Sequence, residues 1–234
     1  MRCIVKRLKR RLGGFFLAIV LLAFSLRVGA KAEIVYRSAA KTERMRVALT
    51  FDDGPHPRYT PQILDILREN GVHATFFTVG SNADSYPALI RRIRAEGHEL
   101  GNHTYHHHRV GKMDAATLQR EISSCSDTVF AITGVRPLYF RPPEGVCSCD
   151  VEEICDELDM TIVLWSVDTR DWAHTPIPEI CENVRRNTRN GSIILMHDFI
   201  GKNSPTPEAL RQIIPMLREL GFEFVTVSQL LAEE

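Results

Sequence analysis

Two adjacent carboxylates, Asp52 and Asp53, stand at the end of an apolar run, Val47-Ala48-Leu49, and in front of Gly54-Pro55. Paired acids do chemistry when their surroundings differ: one grips a metal ion while the other moves a proton. Alone, Thr50 to Pro55 serve equally well as a solvated turn. The histidines downstream decide between the two readings. His103-Thr104-Tyr105-His106-His107-His108 sets His103 and His107 four positions apart. On one helical turn both imidazoles face the same way and can share an ion. Neutral imidazole suits zinc and similar ions. Two imidazoles and one carboxylate make a three-ligand set with open positions, the pattern of a catalytic rather than a structural zinc. His106 and His108 flank the second ligand, so spacing fixes that position only to within one residue.

Three other groups are weaker alone. In Leu195-Met196-His197 the histidine is by itself most simply a satisfied polar side chain. A carboxylate from Trp165-Ser166-Val167-Asp168-Thr169-Arg170-Asp171-Trp172, bonded to His197, would raise its pKa and make it a general acid. Arg141, in Phe140-Arg141-Pro142-Pro143-Glu144-Gly145, could hold one of the acids in place and keep it ionised. Isolated, it reads as a surface arginine in a Pro-rich turn stiffened by Pro142 and Pro143. Trp172 fits a cleft wall as readily as a core.

The elements that must position these groups follow from hydrophobic period. Short runs rich in Val, Ile, Phe and Thr predict strands over Arg46–Phe51, Ala74–Val79, His98–Asn102, Leu138–Arg141, Thr161–Val167, Ser192–Met196 and Phe222–Val227. Helical spacing predicts helices over Pro61–Asn70, Tyr86–Glu96, Asp114–Thr133, Val151–Leu158, Ile177–Asn187, Pro207–Leu220 and Ser228–Ala232. Gly71, Gly97, Gly134 and Gly221 stop four of them. This alternation argues for a parallel, barrel-like α/β domain, and both candidate ligand groups fall at strand ends, where such folds place chemistry.

The chain has 234 residues with 29 Lys+Arg and 29 Asp+Glu. One full-core domain suffices for that length, and zero net charge gives no global bias toward nucleic acid. Residues 1–11 carry Arg2, Lys6, Arg7, Lys9, Arg10 and Arg11 and no acid; Leu12–Leu26 then has no charge. Basic then apolar is a signal peptide or signal anchor over 1–30, with Val28-Gly29-Ala30 as a small-residue cleavage site. The apolar run is 15 residues, short of the roughly 20 that span a bilayer. Either way the rest is exported, and membrane contact is confined to this segment. The polar stretch 31–44 reads as a linker and 45–234 as the domain. Beyond Cys3 in the targeting segment, Cys125, Cys147, Cys149, Cys155 and Cys181 are odd in number and lack zinc-knuckle or redox spacing, so they read as structural or incidental.

The order TFDDGP, HTYHH, RPPEG, DTRDW and LMH resembles the polysaccharide deacetylase family, the NodB-like domain of carbohydrate esterase family 4, over about Met45 to Leu231. The resemblance implies a distorted (β/α)7 barrel. It implies Asp52 as catalytic base, oriented by Arg141, and Asp53, His103 and His107 as ligands of a divalent metal, Zn2+ ahead of Co2+, Ni2+ or Mn2+. It implies His197 as general acid tuned by Asp171, Trp172 as a groove wall, and Leu195 lining the acetyl pocket, with Pro143 and Glu144 beside the substrate. Glu144 departs from the family, where an aromatic residue often follows the prolines, and this bears on groove shape or charge. The implied reaction removes N-acetyl groups from a glycan, with acetate released by a monomer. The expected substrate is peptidoglycan N-acetylglucosamine, with chitin-type oligomers or N-acetylmuramic residues as alternatives. Two rival functions remain: an inactive glycan-binding barrel, against which every ligand and acid position is filled, and a glycoside hydrolase. The latter needs two carboxyls roughly 5 to 9.5 Å apart across the scissile bond, whereas Asp52 and Asp53 are adjacent.

Overall fold

The structure is a computed structural model that describes residues 32–39 and 44–232. The predicted signal or anchor segment lies outside the described residues. Among those described, no helix is long and apolar enough to cross a membrane.

Among the described residues, nine strands form one sheet: β1 (Ile34–Val35), β2 (Arg46–Asp52), β3 (Thr75–Thr78), β4 (Glu99–Asn102), β5 (Tyr139–Phe140), β6 (Thr161–Val163), β7 (Val167–Asp168), β8 (Ser192–His197) and β9 (Glu223–Phe224). They run in the order β1-β6-β5-β4-β3-β2-β8-β7, with β9 added to the start of β2. Every strand pairing is parallel. The helices between them are α1 (Tyr59–Glu69), α2 (Gly80–Ser85), α3 (Pro87–Ala95), α4 (Ala115–Thr133), α5 (Cys149–Glu157), α6 (Ile177–Asn187), α7 (Thr206–Glu219) and α8 (Val227–Leu231). The architecture is an α/β half-barrel of parallel strands with helices.

Strand parity explains where each side chain goes. On β2, Val47, Leu49 and Phe51 join a buried cluster with Ile63, Leu67, Ile213 and Leu217 of α1 and α7. Ala48 packs on the opposite face with Phe77, Val163 and Ile193. The period of two therefore directs Thr50 and Asp52 to the inner face. On β8, Ile194 and Met196 pack toward the helices, which leaves Leu195 and His197 facing inward.

Three expectations change. The stretch 31–44 is not simply a linker: Ile34 and Val35 pair with Ile162 and Val163, and Val35 is buried in the inner cluster. Two apolar residues inside a polar segment give too little alternation to predict a strand. The single strand predicted over Thr161–Val167 is broken, because the carbonyls of Val163 and Leu164 accept hydrogen bonds from Arg141. The strand predicted over Phe222–Val227 shortens because Thr226 caps α8 in a capping box with Gln229. The predicted glycine stops hold, with Gly71, Gly97, Gly134 and Gly221 all at positive φ. The five cysteines among the described residues are all free.

A Cβ on Gly101 of β4 would lie 2.5 Å from the ring of Phe77, which is fully buried. Gly101→Ala should destabilise the protein by about 1–3 kcal/mol through overpacking. A urea midpoint equal to that of the unsubstituted protein would contradict this packing.

Candidate active site

The inner face of the sheet ends in a cleft of about 480 Å³ lined by Asp52, Asp53, His103, His107, Leu195 and His197, with Pro142, Glu144, Trp165 and Trp172 above them. Asp52 closes β2 and is buried. Regular strand geometry would send Asp53 to the other face. Instead the chain turns there: Asp53 sits at φ +76°, a left-handed conformation that Asp tolerates better than most residues. Both acids thereby reach the same cleft.

Asp53 Oδ1 lies 3.3 Å from His103 Nε2 and 3.0 Å from His107 Nε2. The donor atoms of these three residues are all within 4.8 Å of one another. His103 Nδ1 is 2.6 Å from the carbonyl oxygen of Arg141. A carbonyl only accepts, so Nδ1 donates its proton there, and Nε2 is the nitrogen directed at Asp53 and His107. Burial alone would raise the Asp53 pKa, but hydrogen bonds and charge from His103 and His107 hold it well below the ordinary carboxylate range. The same hydrogen bond to Asp53 raises His107. An anion flanked by two inward imidazole nitrogens is a donor set that fits a divalent transition ion.

Asp52 is held differently. Its Oδ1 accepts from Arg141 Nη1 at 2.7 Å, and its Oδ2 is 3.8 Å from His103 Nε2. Arg141 is fully buried, not the surface residue its Pro-rich turn suggests. It also donates to Thr50 Oγ1, Val163 O and Leu164 O, and its guanidinium lies 4.0 Å from the centre of the Phe77 ring.

Across the cleft, His197 Nδ1 is 2.7 Å from Asp171 Oδ1. Asp171 is fully buried and also accepts from His197 N, Trp172 N and Thr206 Oγ1. Burial disfavours the imidazolium, but the hydrogen bond and charge of Asp171, aided by Asp52 and Asp53, prevail and raise the His197 pKa to about 9.

The other expected residues divide. Trp172 is half exposed at the rim, and Leu195 is buried at the floor. Glu144 lines the cleft at φ +58° and pairs with Arg109 at 3.1 Å. Pro142 and Pro143 are both buried, and Pro142 is the one that lines the cleft wall. Sequence reasoning missed Trp165, Thr50, Thr206 and Asp198. Asp198 is buried, accepts from Thr60 Oγ1 at 2.5 Å and donates its own N–H to Asp52 O. Burial pushes its carboxyl up to about 7. A Cβ on Gly54 would fall 2.0 Å from that carboxylate, so glycine there lets the acidic turn close. Position next to His197 was the one signal for Asp198.

Fold and site together define an α/β protein with a His/Asp metal-type centre at its strand ends. The chain belongs to the polysaccharide deacetylase family, which it matches over residues 39–163. It is 41% identical over 187 residues to a peptidoglycan-N-acetylglucosamine deacetylase of Bacillus cereus, covering 79% of this chain and 87% of that one. It is 36% identical over 190 residues to a chitooligosaccharide deacetylase of Azorhizobium caulinodans, covering 75% and 90%. Among solved structures, it matches a peptidoglycan N-acetylglucosamine deacetylase in complex with a naphthyl-substituted N-hydroxybenzamide, at TM-score 0.82 and 35% identity over 87% of this chain and 94% of that one. A carbohydrate esterase family 4 pseudoenzyme from Bacillus anthracis matches at TM-score 0.80 and 29% identity, covering 86% and 70%.

Because the His197 pKa is raised from the ordinary 6.5 to about 9, its pairing with Asp171 stabilises the fold fully below pH 6.5. That contribution fades as pH rises through about 9. Asp171→Asn should move the His197 titration, read by NMR of the imidazole, downward from about 9. A titration that stays there in the variant would contradict the pairing.

Proposed function

We propose that the chain is a divalent-metal-dependent N-deacetylase of a cell-envelope glycan, with peptidoglycan N-acetylglucosamine as substrate, acting outside the membrane. The observation that carries this reading is the convergence of Asp53, His103 and His107 on one point, with Asp52 beside them. The relatives named above support the reaction class, and the Bacillus cereus enzyme favours peptidoglycan over chitin-type oligomers. N-Hydroxybenzamides chelate metal ions, so the bound compound in the matching structure supports metal dependence. The half-barrel accords with the family's distorted (β/α)7 barrel.

Asp53, His103 and His107 would hold the ion, with zinc favoured by the nitrogen-rich set. When bound, such an ion supplies Lewis acidity that polarises the acetyl carbonyl and makes a water acidic enough to attack. The chain's own residues do the rest. Asp52, oriented by Arg141, takes the proton of the water as its oxygen bonds to the carbonyl carbon. The developing oxyanion needs a hydrogen-bond donor. After Pro142 and Pro143, which have no N–H, Glu144 is the first residue of that wall to offer one. His197 gives its proton to the nitrogen as the C–N bond breaks, leaving acetate and a free amine. Leu195 makes the apolar floor for the acetyl methyl, and Trp172 and Trp165 offer faces for sugar rings.

Family membership alone does not secure activity, since a pseudoenzyme shares the fold. Here the metal-type centre, the Arg141-held acid and the Asp171-held imidazole are all in place. A glycoside hydrolase would leave both acids free to flank a bond, whereas Asp53 is engaged by two imidazoles.

Metal-loaded protein incubated with peptidoglycan fragments and with chitin oligomers should yield products lighter by an acetyl group and unchanged in chain length, by mass spectrometry. Chelation or Asp53→Ala should abolish the loss. Shortened chains, or acetate release that persists without divalent metal, would overturn the proposal.

A further inference from the structure

The turn that presents His103 and His107 carries a second donor cluster that the proposed chemistry does not use. Donor atoms of His106, His108 and Glu121 lie within 4.8 Å of one another. Glu121 projects from α4 and is buried, and its one ion-pair partner among the described residues is His106. Its Oε2 accepts the backbone N–H groups of Tyr105 and His106, at 3.1 and 2.7 Å. Its Oε1 lies 2.7 Å from His106 Nδ1. The His106 and His108 rings stack with centroids 5.3 Å apart and planes 13° from parallel. A buried anion thus stands beneath two exposed imidazoles, and among the described residues no guanidinium or ammonium is paired to it.

We propose that His106, His108 and Glu121 form a second divalent transition-metal site that pins the ligand-bearing turn to α4. Two imidazoles and one carboxylate suit zinc or copper, not calcium or magnesium, which prefer oxygen alone. Binding replaces the proton shared between His106 Nδ1 and Glu121 Oε1, and that proton leaves to solvent. Both histidines are exposed, so water completes the coordination and the ion exchanges more easily than one at the cleft. The turn needs such a tie: Thr104 and His107 stand at φ +66° and +57°, a conformation that stays populated only when the surroundings impose it. An ion bridging His106, His108 and α4 would restrict the backbone on both sides of His107. This site does not depend on the deacetylase reading.

The test is zinc stoichiometry by equilibrium dialysis with elemental analysis, beside thermal melts. The unsubstituted protein should bind about two equivalents, and the His106→Gln/His108→Gln variant about one fewer. Both substitutions are on exposed side chains, and a cooperative melt with an unchanged circular dichroism spectrum of the zinc-free variant verifies its fold. In an Asp53→Ala background zinc should still raise the melting temperature, and adding His106→Gln/His108→Gln should remove that rise. Equal zinc content with and without His106 and His108 would overturn the proposal. So would a melt of Asp53→Ala that zinc does not shift. Failure of the cleft site would appear separately, as zinc content unchanged by Asp53→Ala.

Discussion

One buried cation organises this structure. Removing a guanidinium from water costs several kcal/mol even after relaxation, and only a partner charge and full hydrogen bonding offset it. Arg141 has both. Its side chain reaches Asp52 and Thr50 on β2 and the carbonyls of Val163 and Leu164 at the end of β6, against Phe77 of β3. Its own backbone N–H bonds Asn102 O of β4, and its carbonyl accepts from His103. One residue therefore ties the ends of the strands together and sets both halves of the proposed chemistry: the orientation of the acid and the tautomer of a proposed metal ligand. Loss of the side chain would strand a buried carboxylate, the costly half of a broken ion pair.

The opposite wall follows the same logic with the charges reversed. Asp171 is the buried anion, satisfied by His197, Trp172 N and Thr206 Oγ1. Thr206 opens α7, so the helix N-terminus also offers its partial positive charge there. The cleft is then bounded by a cation-held acid and an anion-held imidazole. That is how two groups of different proton affinity can work at one pH.

Much of this was readable from residue order. Residue order set Asp52-Asp53 and the His103 group at strand ends, and the His103/His107 spacing named two of the three donors. What was not readable had specific causes. Arg141 sits in a Pro-rich turn, a setting that suggests exposure, and only the packing of Phe77 and Trp165 around it shows otherwise. Thr50 and Thr206 reach the site from elements far apart in sequence, and threonine at a strand or helix end carries no signal of its own. Asp53 depends on a positive φ that no side-chain pattern encodes. β1 is two residues in a polar stretch, and the break after β6 is imposed by hydrogen bonds from another segment. Pro142, not Pro143, lines the cleft, because a turn, unlike a strand, has no fixed period to say which residue faces it.

The claim beneath all of this is that Asp53, His103 and His107 share one ion while Asp52 stays free. Anomalous diffraction at the zinc edge from zinc-loaded crystals addresses it directly. The account predicts a strong peak at about 2.0–2.2 Å from one Asp53 oxygen, His103 Nε2 and His107 Nε2, with Asp52 outside bonding distance. A cleft peak coordinated by Asp52 in place of Asp53, or no peak in the cleft at all, would contradict it.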